Sequence, residues 1–492
     1  MLQRLQPATA HGPVWQRAGI RTLESRLQGI SPLPLMELAG LASARLALAV
    51  APHARRIWVA AGPGNNGGDG LEAATHLHRW GKNVLVSLLG DPQQHPEDAR
   101  RALERARQAG VPIENGLTGL LPDLGPQDLC IDALLGIGAT REAHGPLLQA
   151  IERINASTAK VLAIDIPTGL DADSGQLMGS HVQADHTLTL LGVKPGLLMG
   201  HGRDACGTLW LDTLGLPSEA TAWHPPDAEL NPPPQPPLNP HASHKGSHGD
   251  VAVVGGELVW ARTGMTGAAL LAAQAALHGG AGRVMLSLLG SAPQGNTPAD
   301  LMLRELDALD LPRLTVVAGC GGGRAITQAL GRLLQYSARL VLDADALNRV
   351  AEDPWLQTLL QQRGLRQHPT VLTPHPLEAA RLLDTQTAEV QAHRLESARQ
   401  LARQFGCCVV LKGSGTVIAS PDQTLRINTT GNGLLATGGT GDVLAGLTGA
   451  RLARCGDAWE AACNAVWTHG QTANDWPESV ALTASRLAAS LR

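Results

Sequence analysis

Asp442 ends the run Ala436-Thr437-Gly438-Gly439-Thr440-Gly441-Asp442, directly before the apolar stretch 443–447. A glycine run that enters a helix aims several backbone N–H groups at one point, where the helix dipole also favours negative charge. A carboxylate in such a nest repels any phosphate held there, so it needs a chemical purpose. The chemistry on offer is removal of a proton from a hydroxyl while the N–H groups hold the charge of a phosphoryl group in transfer. On this loop alone the chain reads as a small-molecule kinase.

A second glycine-rich stretch, Gly62-Pro63-Gly64-Asn65-Asn66-Gly67-Gly68-Asp69-Gly70, follows the apolar run 57–61. Its first six residues satisfy G-x-G-x-x-G, and Asp91 stands near the end of the next apolar run, as in a dinucleotide-binding turn. A bare strand-to-helix turn satisfies the same pattern. Asn65 and Asn66 add carbonyl oxygens and amide donors that a turn does not need, while Asp69 reads as the cap of the following helix. Asp165, ending the buried run 161–166, is either an acid/base or the cap of the next turn.

Elements must hold these groups in place. Residues 57–61, 84–89, 129–135 and 161–166 read as strands and 71–80 as a helix. In the second half, 251–254, 284–289, 314–317 and 340–342 read as strands, with an Ala/Leu helix over 267–277. Continuous apolar strands separated by helices predict parallel sheets covered on both faces. Ligands then belong at the carboxyl ends of the strands. Between the halves, residues 223–240 are so rich in proline that they read as an extended spacer, giving domains 1–222 and 241–492.

The chain has 492 residues, 43% hydrophobic and 17% charged, with a net charge of −4, which describes an ordinary multidomain protein. No basic surplus points to nucleic acid. Tyr336 and Phe405 are single examples of their kinds, so aliphatic cores are expected and base-stacking platforms are not. No run approaches the ~20 apolar residues of a membrane span. Seven cysteines without a C-x-x-C pair, and no secretory leader in residues 1–12, predict free thiols and a cytoplasmic location.

Further motifs accompany the Asn65-Asn66 stretch: Leu35-Met36-Glu37-Leu38-Ala39-Gly40, Asp132-Ala133-Leu134-Leu135-Gly136-Ile137-Gly138, Ala163-Ile164-Asp165-Ile166-Pro167-Thr168-Gly169-Leu170-Asp171 and Lys194-Pro195-Gly196-Leu197. In this order they resemble the NAD(P)H-hydrate epimerase family over residues 12–215. The resemblance implies a Rossmann-like three-layer α/β/α domain with isomerase activity. It implies a potassium ion on Asn66, Asp132 and Thr168, whose oxygen donors suit a hard cation. Substrate contacts are implied at Asn65, Asn66, Gly67, Gly68, Asp69, Gly136, Ile137, Gly138, Ala139, Thr140, Arg141, Glu142 and Asp165, with Asp165 as the acid/base.

In the second half, Gly267-Ala268 opens a small-residue helix, and Gly319-Cys320-Gly321-Gly322-Gly323 ends a strand with N–H groups placed for an anion. Cys320 reads as a small buried filler. Asp343-Ala344-Asp345-Ala346-Leu347-Asn348 and Thr373-Pro374-His375-Pro376-Leu377-Glu378 each follow a strand; Asn348 and Glu378 either help hold Mg²⁺ through water or cap helices. Lys412-Gly413-Ser414-Gly415-Thr416 suits nucleotide phosphates, and Asn428 with Gly431-Asn432-Gly433 leads into the opening loop. His241, His244 and His248 lack an acidic or cysteine partner and read as polar linker.

Taken in order, these motifs resemble the ribokinase-like ADP-dependent NAD(P)H-hydrate dehydratase family over residues 244–490. Where that family reads GPGLG, TPHPGE and GNPGMATGGTGD, this chain has GCGGG, TPHPLE and GNGLLATGGTGD, changes expected to touch affinity more than chemistry. The resemblance implies Asp442 as catalytic base and substrate contacts at Ala268, Gly321, His375 and Asp442. It implies nucleotide contacts at Lys412, Gly413, Ser414, Gly415, Thr416 and Gly441, with ADP as co-substrate, Mg²⁺ as its ion, and a homo-oligomer.

Joined, the two resemblances imply a bifunctional isomerase and lyase. Hydroxide is a poor leaving group and phosphate a good one, so phosphorylating the 6-hydroxyl of an S hydrate lets it leave and restores NAD(P)H. The first half would supply S hydrate from the R form. The alternatives are a kinase of a hydroxymethyl-heterocycle precursor and a nucleotide sensor without turnover.

Overall fold

The computed structural model describes residues 2–117, 123–235, 240–259, 263–290 and 297–491. It divides into two compact units, one of Gly12–Ala228 with the residues before Pro7, the other of Pro7–His11 and Glu229–Arg492.

The first unit carries an eight-stranded sheet. From one edge its strands run Gln3–Arg4, Thr208–Asp212, His186–Leu190, Lys160–Ile164, Leu129–Ala133, Ile57–Ala61, Val84–Leu88 and Ile113–Asn115. All neighbours are parallel except the first pair. Ile57, Val59 and Ala61 enter one core with the helices Leu35–Val50 and Asn65–Arg79, while Trp58 and Ala60 enter another. This two-sided burial explains why the strand is a continuous apolar run rather than an alternating one.

The second unit is built around Arg283–Gly290, Asp250–Val259, Thr315–Ala318, Arg339–Leu342, Thr370–Leu372 and Cys408–Leu411, parallel in that order. Val417–Ala419 and Leu425–Ile427 then continue antiparallel. Val251, Val253, Val317, Val341, Val371 and Val410 share a core with the alanine-rich helix Thr266–His278 and with Thr440–Cys455. Val409 and Val410 pair with Ala419 and Ile418, so the second half has a mixed sheet rather than an all-parallel one.

Two sequence expectations change. Only residues 62–64 of the glycine stretch after Ile57–Ala61 are loop: the helix begins at Asn65, so Asp69 lies in its second turn and is not its cap. Glycine is needed there for approach, because a Cβ on Gly67 would stand 1.9 Å from the Gly62 carbonyl oxygen. Within residues 223–240, read as a spacer, Ala228–Leu230 forms a strand beside Leu425–Ile427, and Asn231 N donates to Ile427 O at 2.9 Å. Residues 227–231 contain no proline, so their N–H groups remain available to a ladder. Part of the stretch, 236–239, lies outside the described residues.

Candidate active sites

In the first unit, the carboxyl ends of Ile57–Ala61, Leu129–Ala133 and Lys160–Ile164 open into a cavity of about 720 Å³. Asn65, Asn66, Asp69, residues 136–142 and Asp165 line it, as expected from their motifs. Gly67 and Gly68 do not. They pack against Gly62 and Met36, and serve helix packing.

Asp165 follows Lys160–Ile164 with φ 67°, a left-handed conformation that Asp tolerates better than bulkier residues. Its Oδ1 accepts from Lys194 Nζ at 2.5 Å. That ammonium is fully buried and spends its other donors on Thr189 Oγ1 (3.0 Å) and Leu190 O (2.7 Å). All three protons of the lysine are thus placed, and one direction of the Asp165 carboxylate is fixed by charge. Asp69 faces the opposite situation. Burial, then the charges of Asp165 and Glu24, hold its carboxyl well above the usual carboxylate range. Glu24, from the helix Arg17–Gln28, lines the same cavity and is also pushed up by burial and by Asp165.

Beneath the cavity floor, Asp132 is fully buried. Its Oδ1 accepts from Thr168 Oγ1 (2.8 Å) and Leu134 N (3.1 Å), its Oδ2 from Thr168 N (2.8 Å). Burial still raises its carboxyl to about 6, against these hydrogen bonds. Asn66 is also buried, 3.4 Å from where a Cβ on Gly136 would lie, and among the described residues neither Oδ1 nor Nδ2 of its amide has a partner.

In the second unit, four strand ends and one helix converge. Thr440–Cys455 starts behind Gly439 (φ 92°) and puts Asp442 in its first turn. The Cys320 Sγ and one carboxylate oxygen each from Asp343 and Asp442 all lie within 4.8 Å of one another. Lys412 Nζ donates to Asp343 Oδ1 at 2.6 Å and stands 3.9 Å from Glu378 Oε2. Burial, then the Asp343 charge, pushes the Asp442 carboxyl up to about 6, although a hydrogen bond with Cys320 and the Lys412 charge oppose this. Burial opposes the charge on Lys412, yet Asp343 and Glu378 raise it on balance. The same is true in reverse of Glu378: burial works against its charge, while His375 and Lys412 outweigh burial and lower it.

The other expected contacts surround this group. A Cβ on Gly441 would lie 3.4 Å from Lys412 Nζ, and one on Gly321 would lie 3.0 Å from the Ala268 Cβ. His375 caps Pro376–Leu383, its Nδ1 accepting from Leu377 N (3.1 Å) and Glu378 N (3.3 Å). Gly413 (φ 135°) and Gly415 (φ 66°) turn the stretch Lys412 to Thr416 back on itself, with Thr416 Oγ1 donating to Gly413 O at 3.1 Å. Buried Arg394 holds that turn from behind, its Nη2 donating to Leu411 O, Lys412 O and Gly415 O at 3.2–3.3 Å.

Two unlike sites on one chain narrow the comparison with known proteins. The family described as YjeF-related protein N-terminus matches residues 32–196, and NAD(P)H-hydrate dehydratase matches residues 251–491. The bifunctional NAD(P)H-hydrate repair enzyme of Escherichia coli (strain K12) is 35% identical over 449 residues, covering 88% of this chain and 84% of its own. That of Coxiella burnetii is 36% identical over 442 residues, covering 87% of each. The chain belongs to the bifunctional NAD(P)H-hydrate repair enzymes. Its first unit is a Rossmann-like epimerase domain and its second a ribokinase-like, ADP/ATP-dependent dehydratase domain. A crystal structure of the Bacillus subtilis ADP/ATP-dependent NAD(P)H-hydrate dehydratase, co-crystallised with ATP/Mg²⁺, is 31% identical, covers 52% of this chain and 91% of its own, and superposes with a TM-score of 0.43.

Four residues of the two domains escaped the sequence reading. Lys194 stood inside a quoted motif without a role; the buried ammonium is visible only once Asp165, 29 residues away, is beside it. Glu24 lies one turn after buried Ile20 on an amphipathic helix, a carboxylate on the edge of an apolar stripe. Arg394 and His469 gave no signal. His469, buried and lowered by that burial to about 4, places its Nε2 3.0 Å from Thr440 O and supports the start of the Asp442 helix. Asp91, the fingerprint acid of a dinucleotide fold, caps a short turn through Gln93 N (3.0 Å) and does not line the cavity.

Of the two readings given to Asn348 and Glu378, the helix cap holds for Glu378, which closes a capping box with His375 at the start of Pro376–Leu383. Asn348 Oδ1 accepts from Arg381 Nη1 at 2.6 Å, and Glu378 is engaged by His375 and Lys412. Both residues therefore act within the protein scaffold. The chemistry of the potassium donors does fit: Asn66 offers a buried amide oxygen without a partner among the described residues, and Asp132 and Thr168, bonded to each other, offer further oxygens.

Proposed function

We propose that Asp442 is the general base of the dehydratase domain and Asp165 the acid/base of the epimerase domain. The observation that carries this reading is the state of Asp442: a carboxylate raised to about 6, at the start of a glycine-led helix, with Lys412 Nζ 3.4 Å from where a Cβ on the adjacent Gly441 would lie. At neutral pH such a group is ionised yet basic enough to take a hydroxyl proton as the phosphorus–oxygen bond forms. The 6-oxygen of the S hydrate then attacks the terminal phosphoryl of ADP and releases AMP. The ring nitrogen's lone pair expels phosphate from C6, and loss of the C5 proton restores the double bond of NAD(P)H.

Lys412 and the turn from Gly413 to Thr416 hold the nucleotide in this reading, with Gly441 close to its phosphates. Ala268, Gly321 and His375 contact the hydrate. Mg²⁺ belongs to the nucleotide's own phosphates. In the epimerase domain, Asn65, Asn66, Asp69 and Gly136 to Glu142 bind substrate around Asp165. Asn66, Asp132 and Thr168 would hold potassium, which would supply positive charge to the site. Seven cysteines without a disulfide support a cytoplasmic location, and self-association is checked by light scattering.

The test supplies S-NADH hydrate, Mg²⁺ and either ADP or ATP, and follows reduced-nicotinamide absorbance together with AMP and inorganic phosphate. Equal yields of NADH, AMP and phosphate from ADP support the reading. A stable phosphorylated hydrate would mean a kinase instead.

A further inference from the structure

Cys320 sits between Gly319 (φ 112°) and Gly321 (φ 60°), in a turn pinned by Gly256 N to Cys320 O (3.0 Å) and Glu257 N to Gly321 O (2.6 Å). Its side chain is fully buried and lies with the carboxylates of Asp343 and Asp442. A filler needs no such neighbours. The two carboxylates differ in what they have left to accept. Asp343 Oδ1 already takes Lys412 Nζ (2.6 Å) and Thr373 Oγ1 (2.8 Å), whereas Asp442 has a carboxylate oxygen within 4.8 Å of the Cys320 Sγ.

We infer that Cys320 is a positioning residue, whose thiol donates a hydrogen bond to the Asp442 carboxylate, fixing the direction of its free lone pairs and moderating its basicity. Burial and the two neighbouring carboxylates keep the thiol protonated far above neutral pH, so the donor is permanent. The charged groups facing Asp442 are Asp343 and Asp345 from the strand end and helix after Arg339–Leu342, and Lys412 from the end of Cys408–Leu411. His469, behind the first turn, is neutral. Removing the polar atom of Cys320 leaves the net charge of the site unchanged, so its removal isolates the hydrogen bond.

The inference rests on Asp442 being the base, and the experiment separates the two. The full chain, Cys320→Ala and Cys320→Ser are compared in kcat/KM for dehydration of S hydrate across pH. Cys320→Ala should move the acidic limb up by about half to one pH unit, with the plateau within a few-fold. Cys320→Ser keeps a donor and should return the limb to the wild-type position or below it. An unmoved limb in Cys320→Ala, or a serine limb that follows the alanine one, overturns the inference. If Cys320→Ala does not fold, the serine variant decides, because its stronger O–H donor must not raise the limb. Asp442→Asn is the control: surviving dehydration removes the base assignment, whereas its loss beside an unmoved alanine limb removes only the role of Cys320.

Discussion

Both domains set a lysine, fully buried in the first and partly buried in the second, against an aspartate at the end of a parallel strand, but the lysines have different partners. In the epimerase domain Lys194 binds Asp165 itself, at 2.5 Å. In the dehydratase domain Lys412 binds Asp343, at 2.6 Å, and leaves Asp442 outside the pair. The consequence is visible in which carboxyl is displaced from its ordinary range. Beside the paired Asp165, Asp69 is held well up by burial and by the Asp165 charge. Beside the paired Asp343, Asp442 is raised to about 6 by the same two causes. One arrangement gives a cavity with an ion-paired carboxylate and a neighbouring carboxyl held above its ordinary range. The other leaves the raised carboxyl outside the ion pair, which under the proposed function suits it to one deprotonation.

Removing the lysine from the first arrangement should do the most damage. Lys194→Met leaves Asp165 buried without its countercharge, which costs about 3–5 kcal/mol and lowers the unfolding midpoint of the epimerase domain. Epimerisation should fall about a hundredfold, measured as R-to-S conversion by chromatography, while dehydration of pure S hydrate is unchanged. Dehydration that falls in parallel would erase the distinction between the two sites.

The pH dependence sharpens the comparison from the other side. Asp442 must be ionised to act, so dehydration should hold above about pH 6 and drop about tenfold per unit below it. A rate of S-hydrate dehydration flat to pH 5 would place the base elsewhere. A smaller effect is expected from the support behind the nucleotide turn. Arg394→Leu strips three carbonyls of their buried partner and should raise KM for ADP about tenfold, with kcat changed less. A kcat loss at unchanged KM would assign Arg394 to the chemistry instead.

Much of the scaffold was legible because burial on both faces writes strands as continuous apolar runs, and these agree with the structure to within two residues for strands such as Ile57–Ala61, Val84–Leu88 and Thr315–Ala318. What failed has physical reasons. Glycines usually argue against a helix, yet Gly67 and Gly68 sit in one because its first turns press against Gly62 and Met36. The three-residue strand Ala228–Leu230 hides among prolines that spare its own N–H groups. Most residues that line the epimerase cavity at the strand ends, or gather around Asp442, lie in motifs readable from local pattern. Lys194, Arg394 and His469 were not readable in this way, because each takes its meaning from a partner 17 or more residues away: Asp165, Leu411 and Thr440.

The claim that the two aspartates run separable half-reactions has one direct test. Asp165→Asn and Asp442→Asn are assayed singly and as an equimolar mixture on racemic NADH hydrate with ADP and Mg²⁺, corrected for spontaneous epimerisation. Asp165→Asn alone should stop near half consumption, Asp442→Asn alone should restore no NADH, and the mixture should consume the racemate completely. A mixture that also stalls near the halfway point, or an Asp442→Asn variant that restores NADH unaided, would contradict the account.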